Sequence, residues 1–186
     1  MSSDDVLLEV EEKMEKAVEY LRKEFRGTRT GRASAGLVEP IKVEAYGSQM
    51  DLRQVASISV PDATLIVLKP FDPGTLKAIE KAILASNLGI TPASDGKVIR
   101  LPIPPLSTER RQQLAAQLKK LSESTRIILR NVRRDGIKEI ERMEKASELS
   151  EDLAKRAKDD VQELIKQYEG KVDELLAAKT KEVQES

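Results

Sequence analysis

The amino-acid sequence predicts an α+β protein of two domains, an antiparallel three-helix bundle and a small inserted domain rich in β-strands. Three long segments repeat apolar residues at spacings of three and four, which is typical of bundle helices. All eight prolines lie between Leu37 and Leu106, where short segments alternate polar and apolar residues as strands do. Because one helical segment precedes this stretch and two follow it, we expect a discontinuous bundle at residues 1–31 and 106–186, with the inserted domain at residues 32–105.

The first predicted helix lies near the start of the chain. Asp4 or Asp5 can cap it, because a short side-chain oxygen accepts a hydrogen bond from a free amide and the helix dipole favours acid there. Gly27 and Gly31 bracket its expected end. Its apolar stripe consists of Leu7, Val10, Met14, Ala17, Leu21 and Phe25.

The inserted domain is predicted to contain strands and one helix. Asp72 can cap that helix, Pro73 suits its first position, and the segment 87–89 ends it. Residues 46–48, Tyr-Gly-Ser, form a predicted turn. The predicted strands are residues 41–45, 55–60, 63–68 and 98–101.

Two long helices are predicted after the prolines, the first capped by Ser107 or Thr108 and the second by Ser150. Gly136 lies inside the first of them, where glycine costs about 1 kcal/mol relative to alanine. We interpret it as a close helix contact or as neutral drift, in preference to a functional bend beside the arginines. Gly170 in the last helix is interpreted in the same way. The first stripe is Leu114, Leu118, Leu121, Thr125, Ile128, Val132, Ile140 and Met143. The second is Leu153, Ala157, Val161, Leu164, Tyr168, Val172 and Leu175.

Two connections join the inserted domain to the bundle, and this arrangement permits hinge bending. Gly31 and Gly36 loosen one connection, and Pro104 and Pro105 stiffen the other. These four residues are the predicted hinge.

The composition excludes several classes of site. The chain contains no Cys and no His, so disulfides, thiolate or imidazole metal sites and a Ser-His-Asp triad are excluded. Adjacent acids at residues 151–152 and 159–160 are interpreted as helix-surface charge, so no metal site, no cofactor and no catalytic residue is predicted. The start of the sequence lacks the pattern of a signal or transit peptide, and no apolar stretch approaches the roughly 20 residues of a membrane helix. We therefore expect a cytoplasmic protein without a membrane partner.

Positive charge is concentrated in a chain of zero formal net charge. Residues 110–134 carry eight Lys and Arg against one Glu, whereas residues 1–21 carry two against seven and residues 135–186 carry ten against fifteen. The guanidinium group offers a rigid fork of donors that suits phosphate. The candidate phosphate-binding residues on this ground are Arg29, Arg32, Arg126, Arg130, Arg133 and Arg134.

Helical phase predicts where the later arginines lie. If Thr125 is taken as zero, Leu121, Ile128 and Val132 fall within about 60° of it. Arg133 falls at about 80°, Arg126 at about 100°, Arg130 at about 140° and Arg134 at about 180°. The four arginines are therefore expected on the solvent side, with few acids of their own helix nearby to pair with them. The alternative is an ordinary solvated face, which is what most charge runs are.

Folded RNA is the phosphate polymer that fits best. The sequence has no helix-turn-helix spacing, zinc finger or basic zipper, so DNA is not expected as a partner. Two Phe and three Tyr leave little for a base-stacking sheet. Recognition of RNA shape and backbone remains as the prediction.

The sequence resembles the ribosome recycling factor family over nearly its whole length. The motif Arg29-Thr30-Gly31-Arg32-Ala33-Ser34 resembles the family's signature at the end of the first helix. The further matches, in chain order, are Tyr46-Gly47, Leu52-Arg53-Gln54, Glu80-Lys81-Ala82-Ile83, Leu88-Gly89, Ile99-Arg100, Pro104-Pro105-Leu106, Thr108-Glu109-Arg110-Arg111, Asn131-Val132-Arg133-Arg134, Ser150-Glu151-Asp152 and Asp159-Asp160-Val161-Gln162.

The resemblance implies an L-shaped, monomeric protein of roughly transfer-RNA outline, in the bacterial form of the family. It also implies a function: binding the post-termination ribosome and, with elongation factor G and GTP hydrolysis, splitting it into subunits and releasing it from mRNA. Arg29, Arg32, Arg130 and Arg133 would face large-subunit ribosomal RNA, and we extend this role to Arg110, Arg111, Arg126 and Arg134.

Two other classes of function stay open at this point. A helical scaffold or chaperone-like adaptor could use the arginines against an acidic protein. An enzyme built on the inserted domain is the third class, but no constellation of residues supports it.

Overall fold

The computed structural model of the protein describes residues 2–185. The chain divides into two compact units. The helical unit comprises the residues up to Phe25 together with Gln113–Lys181, and the mixed unit comprises Arg26–Gln112 together with the residues from Glu182 onward. The chain passes from one unit to the other at 25/26, 112/113 and 181/182. The domain boundaries expected from the sequence, 31/32 and 105/106, stay a prediction.

The secondary structure is α+β, as predicted from the sequence. Two single 3₁₀ turns, Ala35–Leu37 and Pro73–Thr75, add to the regular elements. In chain order these elements are α1 (Ser3–Arg26), β1 (Lys42–Ala45), β2 (Ser48–Asp51), α2 (Leu52–Val55), β3 (Ala56–Asp62), β4 (Leu65–Pro70), α3 (Leu76–Ala85), β5 (Ala93–Ser94), β6 (Ile99–Pro102), α4 (Thr108–Lys145) and α5 (Glu151–Glu185).

The helical unit is the predicted antiparallel three-helix bundle. Helix α1 runs parallel to α5, since Val10 and Val161 both lie near Gly136 and Glu15, further along α1, contacts Lys171, further along α5. Helix α4 runs antiparallel to α5, since the early residue Arg126 pairs with Asp173 and the late residue Glu144 pairs with Lys158. Burial and then the hydrogen bond to Glu15 raise the pKa of Tyr168 to about 12. Gly136 of α4 marks the closest packing, because a Cβ atom built there would lie 2.6 Å from Cγ2 of Val10 on α1. Of the two interpretations of Gly136, the structure therefore supports the close helix contact, whereas a Cβ atom at Gly170 would meet nothing within 4 Å, so no close contact explains that glycine.

The buried stripe of α4 is rotated relative to the prediction. Leu129 is fully buried, whereas Ile128 is 46% exposed and Leu121 and Val132 are only partly buried. Three apolar residues in succession, Ile127 to Leu129, left the phase ambiguous in the sequence. The buried residues of α4 are Leu114, Leu118, Ser122, Thr125, Leu129, Gly136, Ile140 and Met143.

The stripes of α1 and α5 need smaller corrections. On α1, Val6 is buried and Leu7 is only partly so. On α5, Leu153 is 48% exposed, and its neighbour Ala154 is buried instead. Ile165 likewise takes the place predicted for Leu164.

Of the caps predicted for the three bundle helices, those of α4 and α5 are confirmed. The hydroxyl of Ser107 accepts a hydrogen bond from the amide of Arg110 (3.2 Å), and that of Ser150 accepts one from Leu153 (3.3 Å). The prediction of Asp4 or Asp5 as the first cap is wrong. Ser2 caps α1 instead, because its hydroxyl accepts from the amide of Asp5 (3.2 Å) while the Asp5 carboxylate accepts from the amide of Ser2 (2.7 Å).

The mixed unit contains two antiparallel sheets. β1 and β2 form a hairpin, and the other four strands form a sheet of order β3-β4-β6-β5. β2 and β5 were not predicted because they are short and polar, and Val55 belongs to the single turn α2 rather than to a strand. The predicted cap Asp72 accepts a hydrogen bond from the amide of Gly74 (2.9 Å), and Pro73 begins the 3₁₀ turn that leads into α3.

The hairpin turn has an unusual residue at its first position. Tyr46 has φ +53° and Gly47 has φ +75°, so both central residues of the turn are left-handed. This is the arrangement of a type I′ turn, which favours Asn, Asp or Gly at both positions. The conformation of the turn therefore does not account for a tyrosine at position 46.

No helix within residues 2–185 is long and apolar enough to cross a membrane.

Replacing the two helical glycines with alanine should have opposite effects on stability. Gly136→Ala gains about 1 kcal/mol of helix propensity, but it forces a methyl group against Val10, and such overpacking costs about 1–3 kcal/mol. A Cβ at Gly170 meets nothing within 4 Å, so Gly170→Ala should raise the free energy of unfolding by up to about 1 kcal/mol. Urea unfolding measures both. Gly136→Ala should become less harmful in a Val10→Ala background, and equal stabilisation by both alanines would contradict this account of the contact.

The Asp95 carboxylate should titrate well below an ordinary aspartate. It accepts hydrogen bonds from the amides of Val98 and Lys97 and then from Arg100, and these lower its pKa to about 2. A depressed folded-state pKa stabilises the fold above the unfolded value of about 4, and that contribution is lost as the pH falls from about 4 to 2. Carboxyl-carbon NMR during an acid titration measures the midpoint. Arg100→Gln should leave most of the lowering of the Asp95 pKa in place, because the two amides make the larger contribution. A midpoint near 4 for Asp95 in the unsubstituted chain would refute this prediction.

Candidate nucleic-acid interface

The eight candidate arginines divide between the two compact units. Arg126, Arg130, Arg133 and Arg134 lie on α4 in the helical unit, and we call them the α4 arginine row. The other four, Arg29, Arg32, Arg110 and Arg111, lie in the mixed unit.

Because the buried stripe of α4 is rotated from its predicted position, the four arginines of the row are exposed to different degrees. The buried residues centre at about 30° from Thr125, so Arg133 and Arg126 lie about 50–70° from the centre and Arg130 and Arg134 lie beyond about 100°. The side chain of Arg126 is accordingly only 20% exposed, while that of Arg134 is 59% exposed. Only the outer two, Arg130 and Arg134, are more exposed than buried or evenly so, at 50% and 59%, although the sequence predicted the solvent side for all four.

Carboxylates of α5 pair with two members of the row. Nη2 of Arg126 lies 2.5 Å from Oδ1 of Asp173, and Nε of Arg130 lies 3.7 Å from Oε1 of Glu169. Glu123 of α4 accepts from both arginines, at 3.4 Å and 3.1 Å. The hydrogen bond to Asp173 raises the pKa of Arg126 above its ordinary value.

Sequence reasoning missed Asp173 and Glu169 because it considered only the acids of α4 itself. Their spacing of four residues places both on one side of α5, and this was the available signal. It becomes informative only once the faces of α4 and α5 that meet are known.

Arg133 differs from its neighbours in the row. It is half-buried, yet among residues 2–185 its guanidinium has no ion pair, and its Nε atom is buried without a hydrogen-bond partner in that range. Within the same range, the one ion pair of Arg134 is a long contact of 3.7 Å to Asp135. Arg133 is therefore the member of the row that is both held by packing and electrostatically uncompensated by the described residues.

In the mixed unit, Arg29 is bound to backbone rather than directed to solvent. It donates to the carbonyl of Leu88 (3.3 Å) and to that of Pro104 (3.1 Å). It thus ties the segment after α1 to the segment that leads into α4.

The neighbours of Arg29 are held by the last turn of α5. The buried hydroxyl of Thr30 donates to Glu182 at 2.6 Å, and half-exposed Arg32 lies 3.9 Å from Glu185. Arg110 is exposed and Arg111 is partly buried at the start of α4. An RNA-binding role for these residues stays a prediction.

The expected hinge residues lie in two short segments of the mixed unit, which are the connections predicted from the sequence. Gly31 is buried with φ +79°, and Gly36 lies in the 3₁₀ turn that follows. Pro104 and Pro105 are exposed. Both connections are hydrogen-bonded to the β3–β4 turn, since the amide of Ala33 donates to Ala63 and that of Ile103 to Thr64, each at 2.7 Å. A hinge at these positions also stays a prediction.

Over the described part of the chain, no group of three or more acidic side chains is placed to hold a metal ion.

Comparison with known proteins places these features in a family. The sequence model of the family "Ribosome recycling factor" matches residues 21–183. Among curated relatives, the ribosome-recycling factor of Synechococcus sp. (strain JA-2-3B'a(2-13)) is 51% identical over 177 residues, covering 95% of this chain and 97% of that protein. That of Carboxydothermus hydrogenoformans is 50% identical over 179 residues, covering 96% of this chain and 97% of that protein.

Solved structures give the same result. A solution structure of a ribosome recycling factor has 42% identity and a TM-score of 0.83, covering 100% of this chain and 99% of that one. A second match is the T. thermophilus ribosome recycling factor, described together with E. coli elongation factor G bound to the E. coli post-termination complex. It has 36% identity and a TM-score of 0.71, covering 98% of this chain and 99% of that one.

Arg126 should contribute to the stability of the helical unit, whereas Arg134 should not. Arg126→Ala removes a largely buried side chain and its ion pair with Asp173, and we expect a loss of about 1 kcal/mol in the free energy of unfolding. Arg134→Ala, the matched exposed control, should change it by less than about 0.5 kcal/mol. A double-mutant cycle with Asp173→Asn measures the coupling of the pair. Additive effects of the two substitutions would show that the pair carries no interaction energy.

Proposed function

The chain belongs to the ribosome recycling factor family, and from this membership we propose that it binds the post-termination ribosome and, with elongation factor G and GTP, promotes its dissociation into subunits and its release from mRNA. The observation that carries the proposal is similarity over nearly the full length, in both sequence and structure. The reaction takes place in the cytoplasm, and the factor acts as a monomer.

The α4 arginine row is the proposed anchor on large-subunit ribosomal RNA. Arg133 leads it, because its guanidinium has no carboxylate partner within residues 2–185 and its stem is fixed by packing. Arg130 shares its charge with Glu123 and Glu169, so it contributes after exchanging these partners for phosphate. Arg134 lies at the end of the row, and its ion pair with Asp135 is long, so its charge is available to phosphate. Arg126 contributes least, since Asp173 already neutralises it.

The arginines of the mixed unit have a related proposed role. Arg32, Arg110 and Arg111 bind phosphate, and Arg29 combines RNA contact with fixing the segment that carries it. This fixing matters because a contact made by a preordered side chain loses less conformational entropy on binding.

The chain itself is proposed to be mechanical rather than catalytic. Elongation factor G supplies GTP hydrolysis. Bending at Gly31, Gly36, Pro104 and Pro105 lets the part of the mixed unit between these residues, which holds both sheets and α3, respond to that factor while the helical unit stays anchored.

A light-scattering assay of subunit splitting tests this function. Post-termination ribosomes with elongation factor G and GTP should dissociate faster when the chain is present. Arg133→Ala should weaken ribosome binding about tenfold. The slope of the logarithm of the binding constant against the logarithm of salt concentration should become less steep by about one, because one phosphate contact is lost. Arg126→Ala is the matched control with a smaller effect on both quantities.

Three results would oppose the proposal. If the chain does not accelerate splitting, the function is wrong. If binding is unchanged in Arg133→Ala, that residue is an ordinary solvated arginine. If the chain fails to co-sediment with ribosomes in moderate salt but binds an acidic protein, the scaffold function is favoured instead.

A further inference from the structure

Both aromatic residues of the mixed unit lie on its surface rather than in its core. Tyr46 is 70% exposed and Phe71 is 67% exposed. The core beneath them is built from aliphatic side chains such as Ile66, Leu68 and Ile79. Aromatic side chains are usually the largest contributors to a core, so two of them in solvent are not explained by folding.

The backbone at Tyr46 strengthens this argument. Its φ of +53° disfavours a bulky side chain, and an Asn or Gly there would suit the type I′ turn better. The chain therefore carries tyrosine at a position where the fold prefers another residue.

Hydrogen bonds hold the ring of Tyr46 in a defined position. Its hydroxyl donates to Oδ2 of Asp72 at 2.8 Å, while Oδ1 of Asp72 accepts from the amide of Gly74 at 2.9 Å. The bonds from Gly74 and then Tyr46 lower the pKa of Asp72. The carboxylate is therefore charged at neutral pH, as an ordinary aspartate is. Phe71 directly precedes Asp72, and its amide donates to the carbonyl of Val55 at 3.0 Å.

We name Tyr46, Phe71 and Asp72 the aromatic patch, and we propose that it docks a protein whose surface offers an apolar depression with a Lys or Arg at its edge. Tyrosine anchors of this kind dominate binding energy in protein interfaces, and a ring already fixed loses little entropy when it binds. The Asp72 carboxylate selects the occupant, because it attracts a cationic side chain.

The same carboxylate disfavours RNA at this patch. RNA bases stacked on the rings would bring negatively charged phosphates close to the Asp72 carboxylate, well inside the screening length of about 8 Å at physiological salt. RNA-binding surfaces instead combine aromatic rings with Lys or Arg. A protein occupant fits the rings and the charge together.

The inference rests on the proposed function for the choice of binding partners to test. Benzoylphenylalanine in place of Phe71 is irradiated with purified post-termination ribosomes and elongation factor G, and the adducts are identified by mass spectrometry. The same photoprobe in place of Leu84 is the control, since Leu84 is 64% exposed near the far end of α3. We expect the yield of protein adducts from position 71 to be about tenfold above that from position 84, because an aromatic hot spot would hold position 71 against the partner.

Tyr46→Asn separates docking from folding. The Asn-Gly pair suits the turn, so the free energy of unfolding should be unchanged or raised. The yield of protein adducts from position 71 should nevertheless fall about tenfold in this background. Predominant adducts to RNA, equal yields at positions 71 and 84, or an undiminished yield in Tyr46→Asn would each overturn the docking proposal alone. Failure of the unsubstituted chain to co-sediment with ribosomes would overturn the proposed function and the docking proposal together.

Discussion

The close approach of three helices at Gly136 sets the rotation of α4, and much of the helical unit depends on it. A glycine there permits Val10 of α1 and Val161 of α5 to lie against the backbone of α4. Once that face is turned inward, the directions of the other α4 side chains are determined, since each residue advances by about 100°. The arginines of α4 therefore take their surroundings from a contact made by a residue without a side chain.

That rotation gives similar arginines different environments. Arg126 is drawn toward α5 and bonded to Asp173, whereas Arg134 reaches solvent. Arg133 lies between these extremes, packed but uncompensated by the residues that the structure describes. A surface ion pair contributes little to stability, and a partly buried one contributes more, so the row combines residues that hold the bundle with residues whose charge is available to a partner.

Much of the fold was predictable from the sequence because it follows from local rules. The three helical stripes, the Ser107 and Ser150 caps and the Asp72-Pro73 helix start each depend on residues close together in the chain. The errors arose where local information is ambiguous or insufficient. The run Ile127 to Leu129 fits two helical phases, and the polar strands β2 and β5 exist only because neighbouring strands pair with them. The pairing of Arg126 with Asp173 joins residues 47 positions apart, so no window of the sequence reveals it.

The aliphatic core of the mixed unit has a consequence for spectroscopy. The chain has no tryptophan, and of its three tyrosines only Tyr168, in the helical unit, is buried. Tyr46 is solvated in the folded state but its hydroxyl is bonded to Asp72, so its near-ultraviolet signal reports the loss of that surface contact rather than of the aliphatic core. Tyrosine fluorescence and near-ultraviolet circular dichroism therefore report on packing in the helical unit through Tyr168 and on the hairpin turn through Tyr46. The core of the mixed unit contains no aromatic side chain to report its melting, which has to be followed by amide exchange or by an introduced chromophore.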